Sequence, residues 1–234
     1  MTDRVFLITG ASSGIGEATA RLAVEEGHRV VLAGRRRELL DRLAGELGGP
    51  GRAIPVMCDV TEWDQVRSAV DRARKAYGRL DVVFANAGVA NRSSFLEGGS
   101  TPEDWRSMVL TNVYGPAITA RAAMPALLES KGHFVLTGSI AGRIPTPGSL
   151  YSATKWAMTG LAQNLRAELA DSGVRVTLIQ PGLTDTVLIN PDRAGDVKLD
   201  PADVARTVMF AVNQPPSVDI NEIVVRPTGQ AWHR

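Results

Sequence analysis

The sequence predicts an α/β fold, a doubly wound and mostly parallel seven-stranded sheet with helices on both faces, on three observations. Short β-branched runs alternate with longer amphipathic segments, the strand candidates are almost continuously apolar, and a glycine cluster separates the first strand from the first helix. Apolar strands divided by helices imply parallel strands covered on both faces. In such sheets ligands bind beyond the carboxyl ends of the strands. The chain of 234 residues suits one domain, 1–234, with enough length for a single substantial core.

The elements follow in order. Residues 5–9, Val-Phe-Leu-Ile-Thr, form a buried strand candidate, 14–26 a helix and 28–33 a second strand. Residues 36–47 are helical in period, with Leu39, Leu40, Leu43 and Leu47 recurring at three and four. A third strand at 53–58 precedes a helix at 62–77, whose Val66, Ala69, Val70 and Ala73 share one face. A fourth strand at 80–85 leads into a long helical region from about 103 to 130, then a strand at 133–137. Residues 149–170 read as helix, 174–180 as strand, 201–212 as helix and 220–225 as the last strand. Residues 184–199 are polar, contain Gly and Pro, have no clear period and join a strand to a helix, which suits a lid.

Composition narrows the function classes. Hydrophobic residues make up 44% and charged residues 22%, and the formal net charge is +1, as expected of a globular protein without a nucleic-acid or acidic-membrane partner. The N-terminus leads almost directly into a strand-length apolar run broken by Gly10. The sequence therefore predicts no signal peptide and no spanning helix, and a cytoplasmic protein. The single cysteine, Cys58, lies in an apolar run and predicts a buried hydrophobe. His28, His133 and His233 have no partner at ligand spacing, so no metal site is expected. Trp63, Trp105 and Trp156 are packing candidates.

Thr9-Gly10-Ala11-Ser12-Ser13-Gly14-Ile15-Gly16 joins the first strand to the first helix. Glycines there permit a tight turn, close approach of a cofactor to backbone, and helix-on-strand packing. The helix N-terminus then offers free N–H groups to a pyrophosphate. A dinucleotide site for NAD places Asp or Glu after the second strand to hold the ribose hydroxyls. This chain has Gly34-Arg35-Arg36-Arg37 instead. Cations where a 2′-phosphate would lie favour NADP(H), with Arg35 and then Arg36 as its readers.

Tyr151 and Lys155 stand four apart at the start of a helical segment, so their side chains share a face. A neighbouring ammonium favours the phenolate and fits a tyrosine for proton exchange with a substrate oxygen.

With these motifs in one order, the chain resembles the short-chain dehydrogenase/reductase family over essentially its full length. The matching positions are the glycine loop, Asp59-Val60 after the third strand, Asn86-Ala87-Gly88 after the fourth, Asn112 in the long helix, Ser139 after the fifth strand, Tyr151 with Lys155, and Pro181-Gly182 with Thr184 and Thr186 beyond. The resemblance implies a single-domain Rossmann fold, NADP(H), and a small-molecule carbonyl or alcohol substrate. It implies Tyr151 as general acid/base, Ser139 hydrogen-bonding the substrate oxygen, Lys155 holding the nicotinamide ribose, and Asn112 supporting a proton relay to Lys155. Gly10, Ser12, Ser13, Gly14, Ile15, Gly16, Asp59, Val60, Asn86, Ala87 and Gly88 would contact the cofactor, and Pro181, Gly182, Thr184 and Thr186 would wall the nicotinamide. A homodimer or homotetramer is implied as well. Ala85 stands where the family more often has Asn, Ser13 where many NADP-preferring members have a cation, and the Ser139-to-Tyr151 interval is one residue short.

The run 218–228 near the C-terminus looks like the branch that oxidises serine and related 3-hydroxy acids. The competing readings are a 3-oxoacyl carrier reductase and an NADPH-sensing binding protein without catalysis. The segments expected to shape the substrate pocket are 89–99, 143–150 and 183–199.

Overall fold

The computed structural model describes residues 3–91, 95–96, 99–188 and 195–230. Its seven strands are β1 (Val5–Thr9), β2 (Arg29–Gly34), β3 (Ala53–Met57), β4 (Val82–Ala85), β5 (His133–Thr137), β6 (Arg175–Pro181) and β7 (Glu222–Val225). All are parallel, in the order β3-β2-β1-β4-β5-β6-β7. The winding reverses between β1 and β4, which opens a crevice at their carboxyl ends.

Side chains alternate across the strands and divide the core in two. Val5 and Leu7 face α3 (Trp63–Tyr77), α5 (Gly115–Ser130) and α6 (Leu150–Leu169). Phe6 and Ile8 face α1 (Gly14–Glu25), α2 (Arg37–Glu46) and α7 (Pro201–Val212). Every β1 side chain from Val5 to Ile8 is at most 1% exposed, so a one-residue slip in register would put each of them on the wrong layer.

Helix ends follow local chemistry. Thr101 and Asp104 form a capping box at the start of α4 (Pro102–Val109), and Asp200 with Asp203 forms another at α7. Gly78 closes α3 in the left-handed region, φ +75°. The long helix expected over 103–130 is interrupted: α4 passes through a π-helical turn, Leu110–Tyr114, before α5 begins. Pro116 accounts for it, because its ring lacks an N–H and clashes with the carbonyl four residues back, that of Asn112.

The segment expected to act as a lid leaves and returns at one point. Thr184 bridges Leu199, the Asp185 amide donates to the Leu199 carbonyl at 2.8 Å, and the Leu199 amide donates to the Leu183 carbonyl at 2.8 Å. Residues 189–194 of that segment, and 92–94 and 97–98 of the expected pocket wall, lie outside the described residues, as does His233. Among the described residues no cluster of side chains suits a metal, and no helix is long and apolar enough to cross a membrane. Cys58 is buried, and burial pushes its thiol up to about 12, which keeps it an inert packing group. Trp105 packs edge-on against Phe95, whereas Trp63 and Trp156 are substantially exposed.

Candidate active site

A cavity of about 660 Å³ occupies the crevice beyond the strand ends. Apart from Gly16 and Asn112, every residue expected to be catalytic or to contact the cofactor lines it. Those two lie directly behind its wall. A Cβ on Gly16 would come within 2.5 Å of the Gly10 carbonyl oxygen, and a Cβ on Gly88 would meet Asn112 Oδ1 at 3.4 Å.

The glycine loop is shaped by backbone need. Gly10 (φ +66°) and Gly14 (φ +56°) adopt left-handed conformations that favour glycine. The Ala11 amide donates to the Ala33 carbonyl at 3.2 Å, which ties the loop to β2. Ser13 is the N-cap of α1 but makes no side-chain cap hydrogen bond. The first-turn amides of α1 therefore point into the cavity end without a side-chain partner, as an anion cradle requires. Thr186 lies opposite, 3.1 Å from where a Cβ on Gly14 would be.

The two arginines after β2 behave differently. Arg36 reaches over the loop and donates to Ser12 Oγ at 3.0 and 2.8 Å and to Ser13 Oγ at 2.5 Å. Arg35 is 64% exposed and only 3.9 Å from an Asp59 carboxylate oxygen, a weak surface pair. Asp59 is itself anchored, accepting from the Thr61 amide and hydroxyl at 3.0 and 2.8 Å. The cations, the open helix terminus and the glycine cradle together fit a dinucleotide that carries an additional phosphate.

Asn86 staples three strands at the switch point. Its Nδ2 donates to the Thr9 carbonyl at 3.1 Å, and its Oδ1 accepts from the Thr137 hydroxyl at 3.2 Å. Thr9 Oγ1 accepts from the Asn86 and Ala87 amides at 3.0 and 3.1 Å. Gly182 continues β6 by donating to the Val225 carbonyl at 2.6 Å.

At the other end, α6 presents Tyr151 and Lys155 on one face. Lys155 Nζ donates to the Thr137 carbonyl at 2.9 Å and stands 5.5 Å from the centroid of the Tyr151 ring. Burial pushes the Lys155 ammonium down to about 8. Burial also pushes the Tyr151 phenol up, against a smaller downward pull from its hydrogen bond with Ser139. Desolvation thus outweighs the lowering expected for a tyrosine beside a lysine. Ser139 caps the short turn Ile140–Gly142, its Oγ accepting from the Ala141 amide at 3.1 Å.

The π-helical turn places Asn112, 1% exposed, behind this pair. Its Oδ1 accepts from the Val89 amide at 2.8 Å, and its Nδ2 donates to the Val89 carbonyl at 2.8 Å and to Thr154 Oγ1 at 3.1 Å. Gln230 is a lining contributor that was not foreseen, whereas Val187 and Leu188 fall in the 183–199 segment expected to shape the pocket. Gln230 reaches Leu183 from 47 residues away, its Oε1 accepting from the Leu183 amide at 3.3 Å. Val187 and Leu188 add apolar wall from the irregular segment. None carries a periodic or motif signal.

The profile of the short chain dehydrogenase family matches residues 4–219. An uncharacterized oxidoreductase of Staphylococcus aureus (strain MW2) is 41% identical over 230 residues, covering 97% of this chain and 98% of that protein. Among solved structures, the closed form of a serine dehydrogenase complexed with NADP+ superposes with a TM-score of 0.90 at 32% identity, covering 97% of this chain and 96% of the other. An alcohol dehydrogenase from the archaeon Thermococcus sibiricus, complexed with 5-hydroxy-NADP, superposes at 0.87 with 28% identity, covering 98% and 99%.

Proposed function

The chain belongs to the short-chain dehydrogenase family and is an oxidoreductase, and we propose that it uses NADP(H) to interconvert a secondary alcohol and its ketone. The observation that carries this is one cavity with two chemically distinct ends. An anion cradle with two arginines stands at one, and the Ser139, Tyr151 and Lys155 groups at the other. The NADP-bound serine and alcohol dehydrogenases it resembles support the cofactor.

In the reductive direction, Tyr151 donates its hydroxyl proton to the carbonyl oxygen while Ser139 hydrogen-bonds the same oxygen. NADPH, when bound, would supply the hydride that the carbonyl carbon takes up. Charge left on the Tyr151 oxygen is met by the Ser139 hydroxyl and by the Lys155 ammonium, which is largely protonated at neutral pH. Lys155 also orients the nicotinamide ribose, held in place by the Thr137 carbonyl. Asn112 keeps the Val89 backbone and Thr154 in register behind Lys155 and supports proton resupply to it. At the cradle, Arg36 and Arg35 take the 2′-phosphate, and the first turn of α1 takes the pyrophosphate.

The test is loss of the reduced-nicotinamide absorbance when purified protein meets NADPH and a panel of neutral ketones, with 3-hydroxy acids and NADP+ in the reverse assay. The 3-hydroxy acids belong in the panel because a serine dehydrogenase is among the similar structures. Turnover with NADPH preferred over NADH is expected. Tight NADPH binding without turnover on any compound would favour a sensor, and equal use of NADH would remove the phosphate assignment.

A further inference from the structure

We infer that Glu222, at the start of β7, is a positioning residue for Ser139, acting through Arg143 and Gln180. None of these three lines the cavity. The inference rests on the proposed roles of Ser139 and Tyr151.

Ser139 sits at the root of a turn that is gripped from two sides. On the α6 side, the Ser152 hydroxyl donates to the Ala141 carbonyl at 2.7 Å, and Gly142 lies so close that a Cβ would come within 2.5 Å of the Lys155 carbonyl oxygen. On the β7 side, Arg143, which ends the turn, donates to Glu222 Oε1 from Nε at 2.8 Å and from a terminal nitrogen at 2.7 Å. The same oxygen accepts from Gln180 Nε2. Gln180 is fully buried and supports Gly138, the residue before Ser139, at whose Cβ position Gln180 Cγ would be 3.2 Å away.

An acid suits this position: one carboxylate oxygen gathers a guanidinium and an amide at once, and its charge makes both hydrogen bonds stronger than a neutral amide oxygen would. It also fixes the Gln180 amide, because the flipped rotamer would aim its oxygen at the carboxylate. Gln180 Oε1 has no hydrogen-bond partner among the described residues, so the amide orientation depends on Glu222 alone. Removing the acid leaves Arg143 and the Gln180 amide without their shared acceptor, which loosens residues 138–143 on that side, and the Ser139 hydroxyl drifts from Tyr151.

The experiment compares the full chain with Glu222→Leu and, independently, Arg143→Met. The assay uses NADPH and a ketone the wild type reduces, with NADPH binding followed by fluorescence and thermal unfolding alongside. Both variants are expected to lose about tenfold to a hundredfold in kcat, with the NADPH Kd within about twofold of wild type on that account. Combining them should cost no more than the worse one alone. Loss of the Ser139 hydrogen bond should move the Tyr151 titration, read as tyrosinate absorbance referenced to Tyr151→Phe, to higher pH. Unchanged kcat with an unchanged Tyr151 titration, or a fall in stability and NADPH binding with that titration unmoved, would overturn the inference. If Glu222→Leu fails to fold, Arg143→Met decides alone. A wild type that reduces no ketone faults the proposed function instead, and the link is then decided by the Tyr151 titration, whose staying unmoved in the variants overturns it.

Discussion

The two ends of the cavity are built from different material. The cradle is mostly backbone: Gly10 and Gly14 with positive φ, Gly16 against the Gly10 carbonyl, and the uncapped first turn of α1. The chemical end is mostly side chain. Lys155 hangs from one carbonyl, Asn112 braces the loop that follows β4, and Ser139 rides on a turn gripped from both sides. A backbone site tolerates few residue types and binds a part common to many ligands. A side-chain site is tuned by contacts one or two residues away, so substitutions at the two ends should separate binding from turnover.

Lys155→Met gives the greatest separation among changes that keep Tyr151. It should lower kcat/KM by about a hundredfold to a thousandfold, since a general-acid step of this kind is worth about that much. It also carries a stability signature. The buried ammonium titrates at about 8 in the folded chain, below its ordinary 10.5, so between those values the unfolded chain binds more protons and stability rises with pH. Below about 8 the folded chain carries the full cost of a buried charge, a few kcal/mol at most. Thermal unfolding of wild type should therefore gain on Lys155→Met from pH 8 toward 10. A difference that is flat with pH would contradict the burial of that charge.

Arg36→Asp should act at the cradle alone. NADPH binding is expected to weaken about tenfold to a hundredfold, the range for a hydrogen-bonded charge pair, with NADH binding unchanged or improved. Arg35→Asp should do the same to a smaller extent, because Arg36 already spans Ser12 and Ser13. Fluorescence titration with both cofactors checks this, and an equal loss for NADH would show that the cation serves the loop and not the phosphate. Gly16→Ala should cost about 1–3 kcal/mol of stability through overpacking and weaken both cofactors alike. Thr154→Val is the mildest. It removes one of the two acceptors of Asn112 Nδ2 and should reduce kcat a few-fold, for a cost of about 1 kcal/mol, while NADPH affinity stays put.

The same contrast explains what the sequence disclosed. The glycine loop, the Tyr151–Lys155 spacing and all seven strands were legible because each depends on local rules: positive φ, helical period and apolar runs. The π-helical turn had a signal in Pro116 that a simple helical period passes over. The relative parts of Arg35 and Arg36 were not legible, since neighbouring residues point in different directions and only the fold decides which crosses the loop. Gln230 and Glu222 were also out of reach. Gln230 meets Leu183 and Glu222 meets Arg143 across 47 and 79 residues, and no local pattern encodes a contact of that separation. The order of effects on Tyr151 was reversed for a similar reason, because burial is a property of the packed molecule.

Tyr151 is proposed to supply the proton in an NADPH-dependent ketone reduction. The most direct test is single-turnover oxidation of bound NADPH in wild type and in Tyr151→Phe, with the NADPH Kd measured on both proteins. Nearly equal binding is expected, with one alcohol formed per NADPH oxidised in wild type and a rate lower by about a thousandfold in the variant. A Tyr151→Phe protein that still reduces the ketone at close to the wild-type rate would contradict that role.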